Sequence, residues 1–322
     1  MNTSAQSPVF EAVSATTQWL ESKIIGQHAL VQRLVMALLC DGHLLVEGAP
    51  GLAKTRAIKE LSDVIAGDFH RIQFTPDLLP SDVTGTEIFR PEDGSFKFQP
   101  GPIFNNLLLA DEINRAPAKV QSALLEAMAE HQVSVGKETF ALPDLFLVMA
   151  TQNPIEQEGT YPLPEAQLDR FLMHVVVDYP NAEAEHDILR LVRNEAAGAQ
   201  SHTPEVLSQA QIFAARAALL ELHMAAPVET YIVQLVMATR TPQADLAQWI
   251  EYGASPRGTI ALDACARANA WLAGRDFVTP EDVQAVAHDV LRHRLILSFD
   301  ADAQGVQTDQ VIDRLLETVP VA

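Results

Sequence analysis

Cysteine and basic residues are both scarce in this chain of 322 residues. The two cysteines, Cys40 and Cys265, lie in apolar segments of helical character without the spacing of metal ligands, so buried reduced thiols are expected. Lysine and arginine number 22 against 42 acidic residues, which gives a formal net charge of −20. Such a field repels phosphate backbones, so non-specific nucleic-acid binding is disfavoured, although a local basic patch is compatible with it.

Long apolar runs are also missing. No run reaches the roughly 18 residues that a membrane-spanning helix needs. Residues 1–23 contain neither a basic stretch nor an apolar one of the kind found in secretory signals. We therefore expect a cytoplasmic protein without a membrane span, long enough for two domains.

The chain does contain a glycine-rich loop, GAPGLAKT at residues 48–55, directly after the apolar run 44–46. A strand, a glycine turn and a helix in that order form a P-loop, which binds phosphates through backbone N–H groups and the helix N-terminus. Lys54 should reach the phosphates, and the Thr55 hydroxyl should ligate Mg²⁺. Ala53 replaces the usual last glycine, and alanine suits a helical start but disfavours positive φ. The alternative is a chance glycine-rich turn before a helix.

A short segment, Ile25-Gly26-Gln27, separates two predicted helices, Phe10 to Ser22 and Ala29 to Leu39. Ahead of a P-loop, it would place an apolar side chain and a backbone amide against an adenine ring. The alternative is an ordinary helix-to-helix turn.

Acidic and amide side chains follow two later apolar runs. Asp111 and Glu112 end the run 107–110, and Asn153 follows the run 145–150. Asp111 would hold Mg²⁺, Glu112 would polarise the attacking water, and Asn153 would orient water or the γ-phosphate. The alternatives are a helix start that accommodates acids and an Asn-Pro turn.

Alternating apolar strands and helices between Leu44 and Val177 predict a parallel sheet covered on both faces. Two inserted hairpins are predicted, with turns at Asp93-Gly94 and Gly136-Lys137. Beyond Pro180 the strands are expected to stop and helical patterns continue to the C-terminus. We therefore predict an α/β nucleotide-binding domain over residues 1–180, followed by a linker and an all-helical domain over residues 181–322.

Two arginines stand at helix ends. Arg170 follows a short predicted helix, where the helix dipole alone would explain a cation. Arg257 lies in the opening turn of a helix that Ser255-Pro256 begins, and a cation there opposes the dipole. A nearby anion, with phosphate as the natural candidate, would remove this conflict. The alternative is an exposed arginine of little energetic consequence.

Five motifs occur together in the chain: GAPGLAKT, LLLADEINRAP, MATQNP, LPEAQLDRF and ASPRG. In this order and spacing they resemble the MoxR family of AAA+ ATPases, over nearly the whole chain. The resemblance implies an αβα P-loop domain followed by an all-helical lid. It also implies a ring, typically a hexamer, in which neighbouring subunits share each nucleotide site.

The resemblance assigns roles by position. It implies that Lys54 and Thr55 form the Walker A pair, and that Asp111 and Glu112 form the Walker B pair, with Thr55 and Asp111 on the metal. Asn153 then matches sensor 1, Arg257 matches sensor 2, Arg170 matches the arginine finger offered to a neighbouring subunit, and Arg115 would be a second such contact. With ATP and Mg²⁺ as cofactors, the implied nucleotide-binding residues are Ile25, Gly26, Gln27, Gly48, Ala49, Pro50, Gly51, Leu52, Ala53, Lys54, Thr55 and Arg56.

The leading functional prediction is Mg²⁺-dependent ATP hydrolysis that remodels, matures or activates a partner protein complex. The resemblance implies von Willebrand factor A domain partners in many cases and metal-centre insertion in some. One rival is a nucleic-acid motor, although only Lys97 and Lys137 lie near the hairpin tips. The other rival is a nucleotide-dependent switch that does not hydrolyse ATP.

Overall fold

The structure is a computed structural model that describes residues 7–92, 94–136, 138–154, 159–198, 203–243 and 246–321. Two helices precede the sheet, as predicted, and the first begins where the Ser7 hydroxyl accepts a hydrogen bond from the backbone N–H of Val9. In chain order, the helices and strands up to residue 177 are α1 (Pro8–Lys23), α2 (His28–Leu39), β1 (Leu44–Gly48), α3 (Lys54–Asp63), β2 (Phe69–Gln73), α4 (Pro80–Thr84), β3 (Gly85–Arg90), β4 (Ser95–Pro100), β5 (Leu107–Asp111), α5 (Ala118–Glu130), β6 (Gln132–Val135), β7 (Glu138–Ala141), β8 (Leu147–Gln152), α6 (Glu165–Leu168) and β9 (Met173–Val177).

Five strands form one parallel sheet in the order β2-β5-β8-β1-β9, which confirms the predicted α/β architecture. The sheet is buried on both faces, so alternate residues of a strand enter different cores. In β1, Leu44 and Val46 pack into the larger core, whereas Leu45 packs into the smaller one with Leu108 and Phe146. This burial explains why the inner strands are continuous apolar runs in the sequence.

Both predicted hairpins are present. In the first, β3 pairs with β4 so that Phe89 lies opposite Phe96, and in the second β6 pairs with β7. The hairpins contact each other through the stacked rings of Phe98 and Phe140, whose centroids are 3.9 Å apart. The predicted turn residues Asp93 and Lys137 lie outside the described residues.

Helices dominate the remainder of the chain. Its elements are α7 (Ala182–Ala196), α8 (Gln209–Leu220), β10 (His223–Met224), α9 (Ala226–Arg240), α10 (Leu246–Trp249), β11 (Ile250–Tyr252), α11 (Pro256–Leu272), β12 (Phe277–Val278), α12 (Pro280–Leu291), β13 (Ile296–Leu297), α13 (Phe299–Ala303) and α14 (Thr308–Thr318). The helices form the predicted lid domain, and the predicted start at Ser255-Pro256 is confirmed by the hydrogen bond from the backbone N–H of Arg257 to the Ser255 hydroxyl.

One local expectation is wrong. Strands do not stop after Pro180, because β10 pairs with β12 and β11 pairs with β13. These strands of two or three residues are too short to show alternation in the sequence. Helix α3 ends at Asp63, and the N–H of Ala66 donates to the carbonyl oxygen of Leu207. Helix α5 begins at Ala118, because a 3₁₀ turn and Pro117 precede it.

The lid packs directly on the first domain. Helices α8 and α11 both contact α2, and the buried Trp271 ring in α11 makes a T-shaped contact with Phe10 in α1 at a centroid distance of 5.1 Å. Cys40 and Cys265 are free thiols, as expected, but only Cys265 is fully buried, whereas Cys40 is partly exposed. A hydrogen bond with Cys265, together with burial, raises the pKa of the Cys40 thiol. None of the helices in the described part of the chain is both long and apolar enough to cross a membrane.

Candidate functional site

The glycine-rich loop leaves the carboxyl end of β1 and enters α3. Gly48 lies against the last strand of the sheet, and a Cβ atom at this position would be 2.6 Å from the carbonyl oxygen of Val177. Gly51 has φ of 85°, in the left-handed region that glycine adopts without steric cost. The first turn of α3 begins at Lys54, so the N–H groups at the helix N-terminus face the loop.

Ala53 has φ of 58° and therefore occupies the left-handed region. The sequence favoured a helical conformation here, because alanine disfavours positive φ, and that expectation is wrong. The position keeps the backbone geometry of the glycine that the usual motif contains. A Cβ in this conformation costs roughly 1–2 kcal/mol, so the surrounding loop imposes it.

Lys54 bridges the ends of two neighbouring strands. Its Nζ donates hydrogen bonds to the carbonyl oxygen of Gly48 in β1 and, at 3.3 Å, to that of Gln152 in β8. Burial lowers the pKa of Lys54, and the negative charges of Asp111 and Glu112 oppose that shift. The ammonium group therefore lies in the field of the two acidic side chains that were predicted to share its site.

Asp111 ends β5 as a buried carboxylate with a partner on each oxygen. Its Oδ1 accepts a hydrogen bond from the Thr151 hydroxyl at 2.6 Å. Its Oδ2 accepts from Nη2 of Arg71 at 2.6 Å and from Nε of Arg71 at 3.1 Å. A cation from β2 thus neutralises the carboxylate that was predicted to hold magnesium.

Glu112 follows Asp111 with φ of 57°, a conformation that is uncommon outside glycine and is found at functional sites. Its Oε2 accepts from Nε2 of Gln73 at 2.6 Å and lies 3.2 Å from Nε of Arg115. Its backbone N–H donates to the Thr151 hydroxyl. The unusual backbone turns the Glu112 carboxylate towards the end of β2 while Asp111 stays in the sheet.

The strand order explains why these groups meet. Strands β5, β8 and β1 are adjacent and parallel, so their carboxyl ends lie at one edge of the sheet. Asp111 with Glu112, the buried Asn153 and the glycine-rich loop follow these three ends in turn. The edge therefore gathers the predicted residues of the phosphate site.

A cavity of about 350 Å³ lies beside the loop, between the turn after α1 and helix α7. Of the predicted nucleotide-binding residues, those lining it are Ile25, Gln27, Pro50, Gly51, Leu52, Ala53 and Arg56. Helix α7 adds Ile188, Leu191 and Val192, which make one wall apolar. An apolar cavity next to an anion-binding loop has the character expected of a base pocket.

The turn after α1 is fixed by two features of its sequence. Gly26 has φ of 79°, and a Cβ there would lie 3.0 Å from the Cβ atoms of both Pro180 and Ala184. Gln27 donates from Nε2 to the carbonyl oxygen of Asp178 at 2.8 Å. These contacts hold the turn against the segment that joins β9 to α7.

Arg56, at the edge of the cavity, takes part in ion pairs within the chain. Its Nη2 donates to Oε1 of Glu195 at 2.5 Å, and its Nε lies 3.3 Å from Glu60. Glu195 is near the end of α7, so this pair joins α3 to the helix that covers the cavity. Arg56 therefore has a structural partner in addition to its predicted place at the nucleotide.

The two predicted catalytic arginines contact protein groups outside the loop. Nη1 of Arg170 donates to the carbonyl oxygen of Leu125 at 2.7 Å, and its buried Nε has no hydrogen-bond partner among the described residues. Nη1 of Arg257 lies 3.3 Å from Oδ2 of Asp169. The anion next to Arg257, for which phosphate was the expected candidate, is therefore a carboxylate in this structure.

Sequence reasoning missed several residues of the site. Arg71 and Gln73, at the end of β2, contact the Asp111-Glu112 pair, and register places Gln73 beside Asp111. The arginine within an otherwise ordinary short strand was the available signal. Thr151 precedes Asn153 in a motif that the sequence had already marked.

The donors present fit a magnesium ion bound together with phosphates. Among the described residues, no group of three or more histidine, cysteine or acidic side chains is arranged as a metal site. Mg²⁺ at nucleotide sites takes one or two protein ligands and completes its shell with phosphate oxygens and water. The buried carboxylate of Asp111 and the hydroxyl of Thr55 in the first turn of α3 meet that need.

Comparisons with known proteins match both parts of the chain. The family model described as "ATPase family associated with various cellular activities (AAA)" matches residues 43–173, and the AAA lid domain model matches residues 243–315. The chain is 48% identical over 300 residues to Chaperone MoxR1 of Mycobacterium tuberculosis, covering 92% of this chain and 78% of that protein. It is 32% identical to Protein MoxR of Paracoccus denitrificans, covering 94% of each. The crystal structure of a Cytophaga hutchinsonii protein matches with a TM-score of 0.90 at 43% identity, covering 98% of this chain and 96% of that one.

Proposed function

This chain belongs to the MoxR family of AAA ATPases, and we propose that it hydrolyses ATP with Mg²⁺ to remodel, mature or activate a partner protein complex. The observation that carries the proposal is the shared edge of the sheet, where the loop, Asp111, Glu112 and Asn153 follow three adjacent strand ends. The apolar cavity beside the loop supports a nucleoside triphosphate as the ligand.

Catalysis of phosphoryl transfer rests on positioning and charge neutralisation. Lys54 binds the phosphates as a point charge, and the N-terminus of α3 contributes its N–H groups. Thr55 and Asp111 would hold Mg²⁺, which would neutralise phosphate charge. Glu112 accepts a proton from the attacking water, and Asn153 orients that water.

Two further arginines complete the proposed mechanism. Arg257 moves from Asp169 to the γ-phosphate of its own subunit. Arg170 serves the nucleotide of the neighbouring subunit in a ring, with six subunits as the expected number. Its buried Nε, which has no hydrogen-bond partner within the part of the chain that the structure describes, supports a second partner for this side chain. A protein that contains a von Willebrand factor A domain is the client class to test first.

Phosphate release by the assembled protein tests the proposal. With Mg²⁺ and ATP, the wild type should release phosphate, and Glu112→Gln should bind ATP but lose turnover by about 10² or more. Glu229→Gln, an exposed position in α9, is the matched control and should behave as the wild type. ATP binding without phosphate release by the wild type would favour the non-hydrolysing switch, and turnover stimulated by DNA would favour the nucleic-acid motor.

A pull-down with the Glu112→Gln variant tests the client. This variant should hold ATP and its client together, so a partner should be enriched with ATP and lost with ADP. The control is the Glu229→Gln variant under the same conditions. Recovery of the chain alone from both variants would count against the remodelling role.

A further inference from the structure

The carboxylate of Asp169 joins the two domains. Its Oδ2 accepts hydrogen bonds from the Ser255 hydroxyl at 2.8 Å and from Nη1 of Arg257 at 3.3 Å, and its Oδ1 accepts from Nε of Arg294 at 2.9 Å. All three donors belong to the lid, whereas Asp169 precedes Arg170 in the first domain. We propose that Asp169 is a positioning residue that competes with the bound nucleotide for Arg257. The proposal rests on the nucleotide site proposed above.

The two arginines on this carboxylate differ in how firmly they are held. The Arg294 side chain is only 2% exposed and also donates to the carbonyl oxygens of Phe171 at 2.6 Å and Leu172 at 3.1 Å. The Arg257 side chain is 55% exposed. An exposed ion pair is weak, whereas breaking a buried one leaves an unpaired charge. Arg257 is therefore the arginine that can leave.

Arg294 lowers the free-energy cost of separating Arg257 from Asp169. When Arg257 leaves, the partly buried carboxylate keeps a cation and its bond from Ser255. Arg294 also donates to the carbonyl oxygens of Asp169 at 3.4 Å and Phe171, on either side of Arg170. The backbone that carries Arg170 therefore stays in place while Arg257 moves.

The position of Arg257 at a helix N-terminus favours its movement towards a stronger anion. It lies in the first turn of α11, where the positive end of the helix dipole disfavours a cation and a nearby anion is needed. Asp169 supplies that anion in this structure. A triphosphate carries more negative charge than one carboxylate and would draw the guanidinium away.

A double-mutant cycle on nucleotide affinity tests the proposal. Asp169→Asn should bind a non-hydrolysable ATP analogue with Mg²⁺ about two- to fivefold more tightly than the wild type, which is the range for releasing an exposed ion pair. Arg257→Ala should bind more weakly. In the Arg257→Ala background, Asp169→Asn should change nothing further, because its effect acts through Arg257. The proposal would be overturned if Asp169→Asn left the affinity unchanged, or if it changed the affinity equally in the wild type and in Arg257→Ala.

A crystal structure of the wild type with the same analogue supplies a test that does not depend on the folding of Asp169→Asn. The distance from Arg257 Nη1 to Asp169 Oδ2 should exceed 4 Å, the limit for an ion pair, while Arg294 keeps its bond to Oδ1. An intact Arg257–Asp169 pair with nucleotide bound would reject the proposal.

The outcomes separate this proposal from the one on which it rests. If the wild type binds no nucleotide, both fail. If it hydrolyses ATP and Asp169→Asn leaves the affinity unaltered, only the competition at Asp169 fails. If the wild type binds ATP without releasing phosphate, but the double-mutant cycle gives the predicted affinities, the competition at Asp169 stands and the proposal of ATP hydrolysis fails.

Discussion

Nη2 of Arg71 lies 2.6 Å from Oδ2 of Asp111, so a side chain from β2 neutralises the carboxylate proposed to hold magnesium. The pair crosses two neighbouring strands, and about half of the Arg71 side chain is exposed. A metal ion that binds Oδ2 of Asp111 must share this oxygen with the guanidinium or displace it. Arg71 is thus expected to weaken magnesium binding.

The first prediction concerns Arg71→Met, which removes the competing charge. The Mg²⁺ concentration that gives half-maximal ATPase activity should fall about fivefold, because an ion pair whose arginine is half exposed is worth on the order of 1 kcal/mol. A magnesium titration of phosphate release measures it. Arg314→Met removes an exposed arginine of α14 and should leave the titration unchanged. An unaltered magnesium requirement in Arg71→Met would exclude competition.

The second prediction concerns the base pocket. Ile188→Ala shortens a side chain that lines the cavity, so ATP affinity should fall roughly fivefold, which corresponds to about 1 kcal/mol of lost apolar contact. Leu189→Ala, on the exposed side of the same helix, should bind as the wild type does. Titration with a fluorescent ATP analogue distinguishes them. Equal affinities for the two variants would place the adenine elsewhere.

The third prediction concerns the strained position of the loop. Ala53→Gly should raise the free energy of unfolding by up to about 1 kcal/mol, because relief of left-handed strain outweighs the added freedom of the unfolded chain. Ala214→Gly, at an exposed position within α8, should lower the free energy of unfolding by about 1 kcal/mol. Urea denaturation measures both changes. Destabilisation of similar size in the two variants would mean that Ala53 is not strained.

The fourth prediction concerns acid stability and His43. Burial lowers the pKa of His43 from 6.5 to about 4. In this buried site, Nδ1 of His43 accepts from the N–H of Val148, and Nε2 lies 3.3 Å from the carbonyl oxygen of Met128. Between pH 6.5 and pH 4 the unfolded chain therefore binds more protons at this residue, and stability falls as the pH falls. His43 alone should contribute a loss of about 2 kcal/mol between pH 7 and pH 5.

Urea denaturation at the two pH values tests this contribution. His43→Asn should lose about 2 kcal/mol less than the wild type over the interval, whatever its stability at pH 7. His186→Asn, which alters an exposed histidine of α7, should lose as much as the wild type. The same pH dependence in wild type and His43→Asn would show that another group is responsible.

Much of the phosphate site follows from local sequence, because its residues stand at strand ends. Asp111 and Asn153 end apolar runs, and a parallel sheet brings such ends to one edge. The first hairpin was also predictable, because Asp93-Gly94 stands between two extended runs. Its register was not, since Arg90 pairs with Ser95, whereas a two-residue turn at Asp93-Gly94 would pair residue 92 with Ser95.

The remaining contacts depend on distant parts of the chain. Arg294 reaches Asp169 across 125 residues, and Arg33 pairs with Asp289 across 256, so neither pairing has a local signal. The φ of Ala53 is imposed by loop closure against the preference of alanine. Arg71 could be recognised as unusual in a strand, but its partner on β5 depends on the sheet order.

Strand β1 has hydrogen-bonded neighbours on both sides, β8 and β9, and its apolar side chains are fully buried. Backbone amides of such an inner strand open to solvent only when the domain unfolds as a whole. Hydrogen–deuterium exchange should therefore be slowest just before Gly48 and faster from Ala49 onward. If a ligand slows exchange at this site, the change should appear in the amides of the loop alone. The amides of β1 already exchange at the slowest rate without a ligand.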